Sequence, residues 1–329
     1  MKHNKKKLRN IPTNLITGFL GVGKTSAILH FMTQKPENEK WSVLVNEFGS
    51  VGIDGAIYRA KGIDVKEIPG GCMCCAAGVP LQVAVNRILS ETRPQRLLIE
   101  PSGLGHPKRV LDTLQGQYFK EALSLKASIC LLDPRKLSDK RYTTHENFID
   151  QIALADVLVA NKIDLCDDNI LKQFDEYSLT LVPAKQEIIK TRQGHLDASI
   201  LELNPSAERE AKFPHFHEST NKLKTDASKD GFYSEAWQFS KETVFSYDKL
   251  VLFLEQFNQS RIKAVLNTDN GWFIFNIQGK QKEIYAIGSS ADNRLEIISR
   301  ENDKLDKKAL NQQLLESRIA KGISCESGS

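Results

Sequence analysis

Gly18-Phe19-Leu20-Gly21-Val22-Gly23-Lys24-Thr25 decides how the first half of the chain is read. The stretch fits G-x-x-x-x-G-K-[ST], follows the β-rich run Asn14–Thr17 and opens the helical stretch Thr25–Thr33, which is the context the pattern requires. Glycine lacks a Cβ, so the backbone amides around Gly18, Gly21, Val22 and Gly23 can turn toward phosphate oxygens where a side chain would clash. Lys24 can reach the β- and γ-phosphates, Thr25 can place its hydroxyl on Mg²⁺, and the start of the helix adds a favourable dipole.

Outward from that loop, one theme repeats over about the first 200 residues: a short apolar run, a turn and a helical stretch. The runs are Asn14–Thr17, Ser42–Asn46, Leu97–Glu100, Ser128–Asp133, Val157–Asn161 and Leu179–Pro183, with helical stretches such as Thr25–Thr33 and Leu81–Glu91 between them. Most runs are apolar throughout, as strands covered on both faces of a parallel sheet are. The reading is a doubly wound, mostly parallel α/β domain over residues 11–204. Residues 205–231 are polar and read as a linker. A smaller α+β domain follows over 232–322, and 323–329 is a tail. In that domain Glu235–Ser240, Arg261–Leu266, Trp272–Gln278, Glu283–Ile287 and Leu295–Ser299 read as strands, with Asn267–Gly271 as a hairpin loop. Tyr247–Gln259 and Leu305–Ile319 read as helices, Leu250, Val251, Leu254 and Phe257 recurring at helical spacing.

Composition removes several classes. Of 329 residues 40% are apolar, before 20 glycines, and 26% are charged, which is ordinary for a chain with a core. The formal charge of +4 is too small to make nucleic acid the main partner. No apolar run approaches the roughly 20 residues that span a bilayer. Residues 1–10 form a basic arm with Lys2, Lys5, Lys6, Lys7 and Arg9, but no secretory apolar segment follows it, and the cytoplasm is the expected compartment.

Three further constellations carry chemistry. Asn161-Lys162-Ile163-Asp164 ends the run Val157–Asn161, and a carboxylate there can accept from guanine N1–H and its 2-amino group. Adenine offers no such pair and would leave the carboxylate unpaired, which is costly. Lys162 can lay its stem on the ring, and Ala184-Lys185 is placed to cover the base edge. Leu97–Gly103 is an apolar run ending in Glu100, a residue suited to hold Mg²⁺ through water or to orient attacking water, with the Gly103 amide near the γ-phosphate. No water-positioning Gln is identifiable, so slow intrinsic turnover is expected. Finally, Gly70-Gly71-Cys72-Met73-Cys74-Cys75 puts three sulfurs within four residues. Thiolates suit Zn²⁺ and Cu(I), and three leave a tetrahedral ion one ligand short, to be supplied by water, a client's group or Glu47. A redox dithiol and buried unreactive cysteines are the competing readings.

Taken together, Gly18–Thr25, Val45–Asp54 (VNEFGSVGID), Gly70–Cys75, Ile99–Pro107 (IEPSGLGHP) and NKID resemble the CobW-type P-loop GTPases, relatives of the urease and hydrogenase nickel-insertion GTPases. The resemblance covers residues 11–185 and extends less specifically to the C-terminal domain through Arg261–Ala264 and Gly271-Trp272. It implies GTP·Mg²⁺ at Gly21, Gly23, Lys24, Thr25 and Ser26, and the E-x-x-G element at Glu100 and Gly103. It implies a transition-metal site at Cys72, Cys74 and Cys75 with Glu47, and Asp54 as a switch-region acid near Mg²⁺. Relatives often carry a His-rich stretch; here only His215-Phe216-His217 stands, and His106 stands where many have an acid. The expected function is a GTP-hydrolysing metallochaperone. It binds Zn²⁺, with Co²⁺ or Ni²⁺ as alternatives, and hands it to a client metalloprotein met by an open sheet surface of the C-terminal domain. The rival classes are a kinase-like P-loop enzyme with structural zinc and a non-catalytic zinc store or sensor.

Overall fold

The structure, a computed structural model, describes residues 8–45, 53–68, 79–103, 107–207, 232–257, 260–279, 281–290, 292–300 and 307–319. The first part of the chain runs β1 (Ile11–Thr17), α1 (Lys24–Thr33), β2 (Trp41–Val45), α2 (Ile53–Ala60), β3 (Val65–Glu67), α3 (Val79–Glu91), β4 (Arg96–Glu100) and α4 (Pro107–Gln115). It continues with β5 (Leu123–Leu125), β6 (Ile129–Leu132), α5 (Lys140–Thr143), α6 (Glu146–Ala153), β7 (Val157–Ala160), α7 (Asp168–Leu179) and β8 (Glu187–Lys190). After it come β9 (Phe232–Phe239), α8 (Tyr247–Glu255), β10 (Arg261–Thr268), β11 (Gly271–Gln278), β12 (Gln281–Ile287), β13 (Asn293–Arg300) and α9 (Lys307–Glu316). Among the described residues no helix is long and apolar enough to cross a membrane.

The chain divides into two compact units, Met1–Ser50 with Lys61–Leu223, and Val51–Ala60 with Lys224–Ser329. In the first, a parallel sheet runs in the order β3-β2-β4-β1-β6-β7-β8, with β5 beside the first residues of β1. Strands β2, β4, β6 and β7 are buried at every residue, which explains why β6 and β7 are apolar throughout and why only Ser42 of β2 and the end residues Arg96 and Glu100 of β4 are not. Leu15, Leu44, Leu97 and Ile99 pack with Leu81, Val85 and Ile88 of α3 and Val110 and Leu114 of α4. Helix α1 packs against β1 and β4 through its buried face of Ala27, Ile28 and Phe31. Because β1 lies between β4 and β6, the chain leaves it toward opposite sides, and the crevice at its carboxyl end is the switch point where such sheets bind ligands.

The second unit is a five-stranded antiparallel sheet in the order β12-β11-β10-β13-β9. Alternation sorts its faces: Ile262, Ala264, Leu266, Phe275, Leu295 and Ile297 form a core with Leu250, Phe253 and Leu254 of α8 and Leu310 and Leu314 of α9. Arg261, Lys263 and Val265 therefore belong to the other face, and α2 packs there on β10 and β13.

Three expectations are corrected. Leu179–Pro183 is not a strand: α7 continues to Leu179, and the strand is β8, whose run Glu-Ile-Ile-Lys at the sheet edge is too exposed to read as apolar. The β10–β11 loop is tighter than Asn267–Gly271. Thr268 pairs with Gly271, leaving Asp269-Asn270 as a two-residue turn, and the Thr268 hydroxyl donates to the Gly271 carbonyl at 2.8 Å. Finally, α2 lies inside the expected span 11–204 but groups with the C-terminal sheet, whose second face is therefore partly covered instead of open.

One buried cation ties the first unit together below the sheet. Arg96 donates to Asn14 Oδ1 at 2.9 Å and to the Leu201 carbonyl at 3.2 Å, pairs with Glu202, and lies 5.0 Å from the centroid of the Trp41 ring. Burial pulls its guanidinium below the usual arginine value. Arg96→Ala takes the donor from the buried Asn14 Oδ1 and one of two from the Leu201 carbonyl, which keeps Asn14 Nδ2, and is expected to cost about 2–4 kcal/mol in urea denaturation. Glu202 has an exposed side chain, so Glu202→Ala is expected to cost under about 1 kcal/mol.

Candidate functional site

The loop after β1 closes only because three positions lack a Cβ. Gly18 has φ +136°, and a Cβ there would lie 2.3 Å from the Leu131 carbonyl oxygen of β6. Gly23, at φ +99°, would put one 2.3 Å from Asn161 Nδ2, and Gly103, beyond β4, would strike the Leu20 backbone at 2.9 Å. The loop is thus pressed by the ends of three neighbouring strands. Phe19 anchors it on one flank, its ring edge-on to Tyr142 at 5.3 Å and His145 at 5.1 Å.

Helix α1 starts at Gly23 with no side-chain cap and no acidic residue in its first turn, whereas α6 and α7 are capped by His145 and Asp167. Uncapped amides and an uncompensated dipole suit an anion at that end. Lys24 is buried, and its ammonium donates to the carbonyls of Gly18 at 3.0 Å and Phe19 at 3.4 Å, so it stands over the loop. Thr25 donates its hydroxyl to Glu100 Oε1 at 3.0 Å, and Glu100 is itself buried at the end of β4. Gln151 of α6 donates to the Gly103 carbonyl at 3.0 Å. Ser26 continues the first turn of α1.

Asn161 joins this loop to the base side. Its Nδ2 donates to the Val22 carbonyl at 2.8 Å and its Oδ1 accepts from the Gly194 amide at 3.0 Å. Lys162 has a left-handed backbone at φ +68°, which turns the chain into the short 3-10 turn Ile163–Leu165 bearing Asp164. Asp164 lines a cleft of about 450 Å³ with Ile163, Lys190, Thr191, Arg192 and His195. An acceptor at the edge of such a cleft fits a base that presents adjacent N–H donors.

The loop after β8, not Ala184-Lys185, completes this cleft. Lys185 instead donates to the carbonyls of Ile152 at 2.6 Å, Ala153 at 3.2 Å and Ala155 at 2.8 Å at the end of α6. The segment Thr191–His195 was missed because it follows a strand placed wrongly. The signal available was Gly194, which has φ +72° and packs so closely on Ala27 that a Cβ would lie 2.5 Å from its amide. His195 stacks on His30 at 4.6 Å between ring centroids, and burial, with the neighbouring His195, holds His30 below the usual imidazole value.

Asp54 is paired with Lys263 in the second unit, where a buried ammonium needs a carboxylate. Glu47, Cys72, Cys74, Cys75, His106, His215 and His217 lie outside the described residues. Among the described residues no three His, Cys, Asp or Glu side chains converge on a metal-sized site. Cys130 and Cys166 are held as thiols: burial pushes Cys130 up to about 11, and burial with Asp133 nearby raises Cys166.

The sequence pattern of the CobW/HypB/UreG nucleotide-binding domain matches residues 12–189. The chain belongs to this family. Among CobW/HypB/UreG relatives, the zinc chaperone YeiR of Escherichia coli K12 is 39% identical over 328 residues, covering 94% of this chain and 98% of its own length. The zinc chaperone CobW of Pseudomonas aeruginosa is 30% identical over 235 residues, 62% of each chain. Zn(II)-bound YjiA GTPase from E. coli overlays with a TM-score of 0.44 at 16% identity, over 95% of this chain and 100% of that one.

Asn161→Ala removes two hydrogen bonds that hold the loop against the base side, each worth about 0.5–1.5 kcal/mol. A titration with a fluorescent GDP analogue is expected to show affinity falling by about 10- to 100-fold, with the circular dichroism spectrum unchanged.

Proposed function

We propose that the protein is a GTP-hydrolysing zinc chaperone that works in the cytoplasm and delivers its cargo to a client metalloprotein. One observation carries the nucleotide half of this reading: Asn161 ties an uncapped, glycine-built loop to a cleft with Asp164 at its edge. A phosphate and a guanine base held at those two places belong to one ligand. The family match and the 39% identical relative named a zinc chaperone support the cargo half.

Each residue then has a role. The amides of Gly21, Val22, Gly23, Lys24, Thr25 and Ser26 cradle phosphate oxygens. Lys24 exchanges its loop carbonyls for the β/γ-phosphates, so its ammonium is already positioned before the ligand arrives. Thr25 and Glu100, hard oxygen donors already 3.0 Å apart, suit Mg²⁺, directly or through water. When bound, that ion neutralises charge between the β- and γ-phosphates. The Glu100 carboxylate orients water at the γ-phosphate, and the Gly103 turn, braced by Gln151, reports whether that phosphate is present. Zn²⁺ is the cargo of Cys72, Cys74 and Cys75, with Glu47 as a fourth ligand, and thiolates outrank oxygen donors for that ion. The client meets the second unit.

Phosphate release from GTP and ATP, each with and without Zn²⁺, tests this. Slow turnover of GTP alone is expected; turnover of ATP, or transfer of phosphate to an acceptor, contradicts it. Asp164→Asn replaces an acceptor by a donor facing the base. It is expected to weaken GTP by at least about 100-fold and to favour xanthosine triphosphate, whose 2-oxo group accepts what Asn donates.

A further inference from the structure

The second unit buries a cluster of charge that nucleotide binding does not use. Asp54 of α2 is 5% exposed, Lys263 of β10 8% and Glu296 of β13 1%. Lys263 pairs with Asp54. Yet Lys263 is also in direct register with Glu296 across the β10–β13 ladder, which brings their Cβ atoms to about 4.5–5.5 Å. Two carboxyl groups thus flank one ammonium. Among the described residues Glu296 Oε1 has no hydrogen-bond partner. Burial raises the Glu296 carboxyl to about 8, with Asp54 pushing the same way and Lys263 and Arg261 opposing. With α2 seated, Glu296 is therefore the member left unsatisfied.

Helix α2 is poorly equipped to stand alone. It has eight residues, IDGAIYRA, with Gly55 in its interior, and helices this short are marginal in water. Its buried residues Ala56, Ile57 and Tyr58 complete the second unit, although the chain on both sides of it, up to Ser50 and from Lys61, belongs to the first. Breaking a buried ion pair normally strands a charge and is costly. Here it does not, because loss of Asp54 leaves Lys263 opposite a second carboxylate.

We propose that the Lys263 face of the second unit's sheet is a releasable dock for α2, with Glu296 as the stand-in that takes Lys263 when Asp54 leaves. Both the seated and the vacated face then have their ammonium paired, as a two-state element requires. This inference is independent of the nucleotide and the cargo.

Hydrogen exchange on the full chain, free of nucleotide and metal at neutral pH, reads the amides of residues 53–60. Lys263→Met strands Asp54 in the seated state and is expected to speed their exchange by about tenfold or more, the effect of one pKa unit of differential interaction. Glu296→Gln removes both the unsatisfied carboxyl and the stand-in, so it is expected to slow the same amides by about tenfold. Protection of β10 and β11 should be unchanged. Should Lys263→Met disturb that sheet, Asp54→Asn leaves the sheet's own residues intact and is expected to speed exchange likewise. Shifts of the same sign for the Lys263 (or Asp54) and Glu296 variants, or no shift in either, overturn the proposal and leave the chaperone reading untouched.

Discussion

Backbone amides can converge on a phosphate only where the chain reverses with no side chain in the way, and the first unit is organised around one such reversal. The missing Cβ atoms of Gly18, Gly23 and Gly103 are filled by the Leu131 carbonyl, the Asn161 side chain and the Leu20 backbone. The loop's shape is thus set jointly by its own glycines and by the ends of β6, β7 and β4 that press on it. Parallel pairing of β4 and β6 on either side of β1 brings those ends together. A disturbance at any of the three is felt where the phosphates would lie, and that is how a rigid sheet can carry a ligand-sensitive loop.

The second unit draws in a helix from within the first unit's stretch of sequence. That helix, α2, lies in sequence between β2 and β3 and upstream of the thiol cluster. A C-terminal domain that merely offered an open sheet to a client would not need a buried Lys263 or its carboxylates. An interior cation and two acids at a seam cost stability unless specificity or switching is gained.

Much of this was legible in the residues. The strands buried on both faces announced themselves as apolar runs, and the phosphate loop, Glu100 and NKID stood at their carboxyl ends as the parallel topology demands. What failed to read was marginal or long-range. Strand β8 sits at the edge with only Ile188-Ile189 between charges, while the more apolar Leu179–Pro183 is the end of a helix and a turn. The Thr191–His195 loop was lost with that strand. Asp54 carried a local acidic signal, but its partner lies 209 residues away, and no periodicity reveals such a pairing. Phe19 looked like a filler position in the phosphate motif, yet its ring is the loop's anchor, a role only packing discloses.

If GTP governs release of the cargo proposed above, nucleotide and zinc must each change the other's affinity, because linkage is reciprocal. Calorimetric titration of Zn²⁺ into the full chain, with and without a non-hydrolysable GTP analogue, and the converse titration of the analogue with and without Zn²⁺, measure it directly. The account predicts that the two affinities shift by the same factor. Zinc affinities that are identical in the presence and absence of the analogue would contradict it.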